Sequence, residues 1–352
     1  MTRTISRRSV LQGSGALALG AWAQPSGAAP PPAEAITPEL IAAAKKEGKV
    51  VYYTSIDLMV AERIAKGFEA KFPGVAVRVE RSGAERVFQR INQEYASRIY
   101  AADVVNSSDA AHFIAWKREG LLQPYVPEDV AKFYPAEHRD PDGLFASYRV
   151  GMCLIGYNTS LVTAADAPKS FADLLDPKWS GKMVKAHPGY SGNVMSATFE
   201  MVRELGWEWF EKLAKQKLMQ VQSATDPPKK LALGERAVMV DGNEYNSLLL
   251  KESGRPIEIV YPAEGTPIAT GPNGIFKNAP NPNAARLFNN WCFTAEGQQL
   301  IVDLALRSLH PGVKEPPGRR PMKDIKFMKD DPAGVEKRAE EIKARYSKIF
   351  GV

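Results

Sequence analysis

The chain has 352 residues, 46 Lys or Arg against 40 Asp or Glu, and 44% hydrophobic residues. That is enough apolar material for more than one core. Its formal charge of +6 is carried partly by Arg3, Arg7 and Arg8; without the first 23 residues it is 43 basic against 40 acidic, or +3. With so mild a balance, and no Lys/Arg stripe interleaved with aromatics, a nucleic-acid partner is excluded from the reading.

The first segment reads as an export signal. Ser6-Arg7-Arg8-Ser9 precedes a Gly- and Ala-rich apolar run from Val10 to Trp22, which closes on Ala21-Trp22-Ala23 before Gln24. A basic start, short apolar middle and small-residue end make a secretory signal over residues 1–23. The paired arginines match the twin-arginine route. The run is too short and too diluted for a membrane span, and no Cys stands at the cleavage site to carry a lipid. Residues 24–37, rich in Pro and Ala, read as a disordered spacer.

Strands and helices then alternate. Val50–Thr54, Val75–Val79 and Ala102–Val105 have strand composition. Leu58–Phe72, Ala84–Ile99 and Ala110–Glu119 have helical spacing, the first stopped by Pro73-Gly74. This β-α order predicts a mainly parallel sheet. Arg149–Tyr157 reads as an uninterrupted apolar, central strand. The middle block holds helices over 191–205, 207–215 and 243–251 among strands near 183–184, 219–221, 237–240 and 257–261. After an extended stretch, 266–276, come helices over 283–293 and 296–306 and a terminal amphipathic helix over 335–349. Cys153 and Cys292 sit in apolar contexts and read as buried free thiols, with a disulfide left open by sequence.

Ligands of open α/β sheets bind beyond the carboxyl ends of strands. The residues there are Thr54, Ser55 and Asp57; Ser82 and Gly83; Asn106, Ser107, Ser108 and Asp109; the run from His187 to Asn193; and Asp241 to Tyr245. Hydroxyls and glycines at helix starts suit an anion, although the same residues also serve as ordinary caps. Ser191, Gly192 and Asn193 are expected to hold the anionic group. Ser55, Ser82, Ser107 and Ser108 face it, and Asp57, Asp241 and Tyr245 read the rest of the ligand. His187 reads as a hydrogen-bonded structural residue. No H-E-x-x-H, G-x-S-x-G, phosphate-binding loop or G-x-G-x-x-G motif is present.

Several stretches carry a family resemblance: Val51-Tyr52-Tyr53-Thr54-Ser55, Ala102-Asp103-Val104-Val105, Ile155-Gly156-Tyr157-Asn158, Leu233-Gly234-Glu235-Arg236-Ala237-Val238, Lys277-Asn278-Ala279-Pro280-Asn281-Pro282 and Glu296-Gly297-Gln298-Gln299. In their order over about residues 38–350 the chain resembles the periplasmic solute-binding proteins of ABC importers. Within them it is similar to the subgroup of ferric-ion-binding proteins and their organic-anion-binding relatives. The resemblance implies a type II periplasmic-binding fold: two doubly wound α/β lobes joined by crossing hinge strands. Residues 38–153 with 270–320 would form lobe 1, and 158–265 with 321–352 lobe 2. It also implies a monomer with no cofactor and no catalytic role, serving a permease and its ATPase from the periplasm.

Ferric binders of that subgroup use a His, a Glu and a Tyr pair. Here Asp57 and Ser108 fall near the first two positions, and Asn243-Glu244-Tyr245 near the pair. An organic anion is therefore expected as ligand: a phosphorylated sugar or polyol, a phosphonate or a carboxylate. Ferric capture through Asp57, Glu244 and Tyr245 is the alternative within the fold. A periplasmic hydrolase or transferase is the alternative outside it.

Overall fold

The computed structural model describes residues 30–352. The expected signal, residues 1–23, lies outside the described residues. Among those described, no helix is long and apolar enough to cross a membrane.

Lobe 1 is built around Lys49–Thr54, which pairs in parallel with Ala76–Arg81 on one side and Val104–Asn106 on the other. Its side chains alternate between two cores, Val50 and Tyr52 on one face and Val51 and Tyr53 on the other. That two-sided burial explains a run of β-branched and aromatic residues without polar alternation. Helix Leu58–Lys71 buries Val60, Ile64 and Phe68, and ends where Gly74 takes φ 99°. Phe68 meets Phe288 and Trp291 at centroid distances of 5.1 and 5.6 Å. Helix Pro282–Phe293 thus returns to lobe 1, late in sequence but central in packing.

Two of the motif stretches are joined by one buried acid. Asp103 accepts hydrogen bonds from Val51 N (2.7 Å), Asn281 N (2.7 Å) and Asn281 Nδ2 (2.9 Å). It ties the sheet to the loop that starts the returning helix.

The strand Phe145–Asn158 is buried along all 14 residues. Phe145 to Met152 pairs antiparallel with Ile268–Phe276, whereas Cys153 to Asn158 pairs with Val238–Asn243 and Ile257–Val260. At roughly 3.3 Å per residue it runs through both lobes and is the crossing element. Lobe 2 adds the parallel strands Met183–Ala186 and Met219–Val221 beside Val238–Asn243. The sheet is therefore mixed rather than mainly parallel, because the two crossing strands enter it antiparallel. The terminal helix Pro332–Phe350 buries Val335, Ile342 and Tyr346 in the lobe 2 core. It also reaches lobe 1 through Glu336–Arg118 (2.6 Å) and Lys343–Glu85 (3.2 Å).

Two local expectations change, and the cysteines are as expected. Residues 33–37 lie inside the expected spacer, yet Ala33–Glu34 pairs with Val126–Pro127 and Thr37 caps helix Pro38–Glu47. Small Pro/Ala-rich segments carry little pattern of their own, so docking was decided by the surface they meet. The helix expected to reach Leu306 stops at Asp303, before Ala305 at φ 66°. Cys153 and Cys292 are both buried and free.

Candidate functional site

The strand ends of both lobes face one cleft. Ser55, Arg81, Ser108 and Arg149 approach from lobe 1 and the crossing strand. Tyr190, Ser191, Asn193, Ser223, Thr225, Asn243 and Tyr245 approach from lobe 2. Among the described residues no Asp or Glu lines it.

Arg149 dominates the electrostatics. Its side chain is fully buried on the crossing strand, and among the described residues its one hydrogen bond is Nε to Asn106 Oδ1 at 3.4 Å. Nη1 has no partner, and among the described residues no carboxylate pairs with the guanidinium. Burial pulls its pKa below the usual arginine value, with the neighbouring tyrosines opposing that shift. An arginine remains charged over the working pH range, so it is a buried cation awaiting a partner. Gly271 makes the space: a Cβ there would stand 3.0 Å from Arg149 Cγ. Arg81, half-buried, donates from Nε to Ile56 O at 3.3 Å and adds a second guanidinium.

Hydroxyls and amides surround this pair. Ser55 Oγ accepts from Ser108 N at 2.9 Å, which fixes the two lobe 1 serines together. Tyr245 is buried, and its phenol oxygen accepts from Asp57 N at 3.1 Å. Burial raises the Tyr245 pKa, with Arg149 opposing, so the phenol stays neutral and able to donate. Asn193 Nδ2 donates to Asn243 Oδ1 at 2.8 Å, leaving Asn193 Oδ1 without a partner. Ser191 stands at the start of helix Gly192–Leu205, but its side chain makes no capping bond. Its hydroxyl is free for a ligand beside the unpaired N–H groups of the first turn.

Ser55, Ser108, Ser191, Asn193 and Tyr245 thus line the cleft. The other five expected residues are placed differently. Asp57 caps helix Leu58–Lys71 through Met59 N (3.2 Å) and pairs across the cleft with Lys229 (3.4 Å). Ser82 donates its backbone N–H to Thr54 O (3.1 Å) and is outside the lining. Ser107 is buried, with Oγ 3.2 Å from His112 Nδ1. Asp241 is buried against the Lys185 ammonium and accepts from Ala186 N at 3.3 Å. Gly192 faces the opposite lobe, where a Cβ would come within 2.6 Å of Asp109 Cβ and 2.9 Å of the Ser108 backbone. Its smallness serves lobe-to-lobe contact rather than ligand contact. Gly192→Ala should therefore hold the lobes apart. Small-angle scattering with saturating ligand is expected to show the extended form, while the urea midpoint stays near wild type.

His187 accepts from Gly189 N at 2.9 Å and packs edge-on to Tyr346, a structural role. Sequence reasoning passed over Arg149, Arg81, Ser223 and Thr225, and listed Tyr190 only within the His187 to Asn193 run. Arg149 did leave a signal: a charge at the head of an otherwise apolar buried strand is costly unless it has a use.

These features are those of a two-lobed solute-binding protein, with a polar cleft between lobes that share crossing strands. The chain belongs to the bacterial extracellular solute-binding protein family, whose sequence profile matches residues 100–326. A probable ABC transporter periplasmic-binding protein of Sinorhizobium fredii is 24% identical over 240 residues, 65% of each chain. Among solved structures, the fold is shared with the periplasmic binding protein AfuA of Actinobacillus pleuropneumoniae, with exogenous fructose-6-phosphate bound. The TM-score is 0.79 at 24% identity, over 87% of this chain and 99% of that one. Iron-bound HitA of Pseudomonas aeruginosa is also similar in fold, with a TM-score of 0.73 at 24% identity over 86% and 99%.

Proposed function

We propose that this protein is the periplasmic substrate-binding component of an ABC importer and captures a small organic anion. The ligand class is a phosphorylated sugar or polyol, a phosphonate or a carboxylate. The observation that carries this reading is the pairing of Arg149 and Arg81 in a cleft lined by no acid. A buried guanidinium with a free N–H is a ready donor site for a planar or tetrahedral anion. Ser55, Ser108 and Ser191 add hydroxyl donors, and Asn193, Asn243 and Tyr245 meet the ligand's own hydroxyls. A ligand carrying an ammonium group would find no counter-charge there. Closure brings the two lobes onto the anion and presents the closed form to a permease driven by its ATPase.

Ferric capture is disfavoured by the same charges. Of the acids that would serve it, Asp57 is committed to its helix and Lys229. Glu244 is held by Arg307 at 2.7 and 3.0 Å and by Tyr261 at 2.5 Å. A cation would also sit beside Arg149.

A thermal-shift series with phosphate esters, phosphonates, carboxylates and Fe³⁺ tests the class, since a ligand of the native state raises stability by mass action. Stabilisation by Fe³⁺ alone would overturn it. With a ligand in hand, Ser191→Ala should weaken binding roughly ten- to a hundredfold, the value of one hydrogen bond to a charged group. The urea midpoint should stay in place, because the hydroxyl caps nothing. A loss of about 1 kcal/mol in stability with unchanged affinity would return Ser191 to an ordinary cap.

Export through the twin-arginine route completes the proposal. Replacing Arg7 and Arg8 together by Lys should keep the protein in the cytoplasm, because the receptor reads the guanidinium pair as an address. Cell fractionation showing normal periplasmic accumulation would point to the general secretory route.

A further inference from the structure

Three carboxyl groups outside the anion cleft converge where lobe 1, lobe 2 and a crossing strand meet. Glu200 lies on helix Gly192–Leu205 and is 0% exposed. Its Oε2 accepts from Ile268 N at 3.0 Å, while Oε1 has no partner among the described residues. Two residues further along the same strand, Thr270 Oγ1 donates to Asp330 Oδ2 at 3.3 Å. Asp330 stands just ahead of helix Pro332–Phe350, on a segment that joins the strand at the Thr266–Phe327 bridge. The third acid, Asp109, belongs to lobe 1. It is buried and caps helix Ala110–Arg118 through Ala111 N at 2.9 Å. Gly192, at the start of the helix that carries Glu200, is the residue packed against it.

Cations do little for these acids. Among the described residues no salt bridge reaches Glu200; Arg203, on its own helix, is bonded instead to Glu204 (3.1 Å) and Lys329 O (2.6 Å). Glu204 and Asp331 add negative charge nearby, and the buried Cys153 thiol faces Glu200 from the other crossing strand. Around Asp109, His112 Nε2 lies 3.7 Å away and 3.6 Å from Glu85, and Lys343 reaches across from lobe 2 to Glu85 at 3.2 Å. Burial raises the pKa of all three carboxyls, that of Asp330 to about 7, and Asp330 raises Glu200 further as Asp109 raises Asp330. The Asp109 contribution crosses the lobe boundary, so it exists only when the lobes are together. An acid whose pKa is higher in the closed form favours closure while it keeps its proton. That preference is lost as pH rises through the closed-form value.

We propose that lobe closure takes up a proton at this three-acid seam, so that the closed form is favoured in mild acid and loosens above neutrality. The proposal needs the lobes to move, as the solute-binding reading requires, but does not need the ligand to be an anion.

Spin labels on Glu62→Cys in lobe 1 and Lys212→Cys in lobe 2, both exposed positions, report the interlobe distance of the ligand-free full chain by pulsed electron resonance. The native cysteines are buried. From about pH 6 to about pH 8.5 the closed-to-open ratio should fall roughly three- to tenfold, as for one acid whose pKa differs by about 0.5–1 between the forms. Asp330→Asn keeps an acceptor for Thr270 and should remove most of that dependence, holding the closed population at high pH. Glu200→Gln carries the same test if Asp330→Asn fails to fold. His112→Gln should retain the dependence, because His112 and its two acids all belong to lobe 1. An interlobe distance that ignores pH in the wild type would overturn the proposal. So would a dependence that survives Asp330→Asn and Glu200→Gln but is lost in His112→Gln. Failure of the anion reading shows separately in the thermal-shift series and leaves this test standing.

Discussion

Arg149→Met should abolish most anion binding while leaving the ligand-free protein as stable as wild type, or more so. The guanidinium is buried, unpaired with any acid and short of one hydrogen bond. Without a ligand it is therefore a cost to the fold, and an apolar side chain of similar length removes that cost. With an anion bound, the fork supplies two charge-assisted bonds of about 1.5–3 kcal/mol each. Their loss corresponds to roughly a hundredfold to ten-thousandfold in affinity. Arg149→Lys should fall between, since it keeps the charge but not the planar fork. Calorimetry for affinity and urea melts of the free protein read the two effects separately. Unchanged affinity in Arg149→Met would remove the basis of the anion reading, and a large loss of stability would make Arg149 a structural residue instead.

The second large effect concerns Asp241 and falls on stability rather than affinity. Asp241 and Lys185 are both fully buried, and the Lys185 ammonium also lies 5.0 Å from the centre of the Tyr346 ring. Removing one partner strands the other charge in the core. Asp241→Ala should cost about 3–5 kcal/mol, a large part of the 5–15 kcal/mol that holds a typical domain together. The double change Lys185→Met with Asp241→Leu should recover much of that loss, because a packed apolar pair replaces the ion pair without a desolvation penalty. Urea unfolding of the three variants measures this directly. If Asp241→Ala unfolds like wild type but no longer binds the anion, the acid belongs to the ligand after all.

The two residues illustrate how strand ends are misread from sequence. Asp241 stands at the end of a strand with the residue types of a site, yet its carboxylate turns toward Lys185, 56 positions earlier. Arg149 was absorbed into an apolar strand, and its place on the cleft appears only when Asn106, Gly271 and Tyr245 are brought around it. Gly192 is expected from sequence to hold the anion, whereas the group that approaches it is the Ser108–Asp109 turn. In each case the surroundings of the residue were settled by a partner far away in sequence.

What the sequence determined by itself is local and periodic. Apolar spacing placed helices Leu58–Lys71, Gly192–Leu205 and Pro332–Phe350 to within a few residues. The order of β and α units, with the motif stretches, led to the two-lobed class and the solute-binding family. Hydroxyls at strand ends pointed to the cleft, and five of them or their neighbours line it. Tertiary structure decided that residues 33–37 dock on the first lobe, and which polar strand-end residues line the cleft rather than pair with each other. The physical reason is that secondary structure follows from neighbours along the chain. The fate of a buried charge depends on whether an opposite charge folds up against it: Asp241 found Lys185, and Arg149 was left open to the cleft.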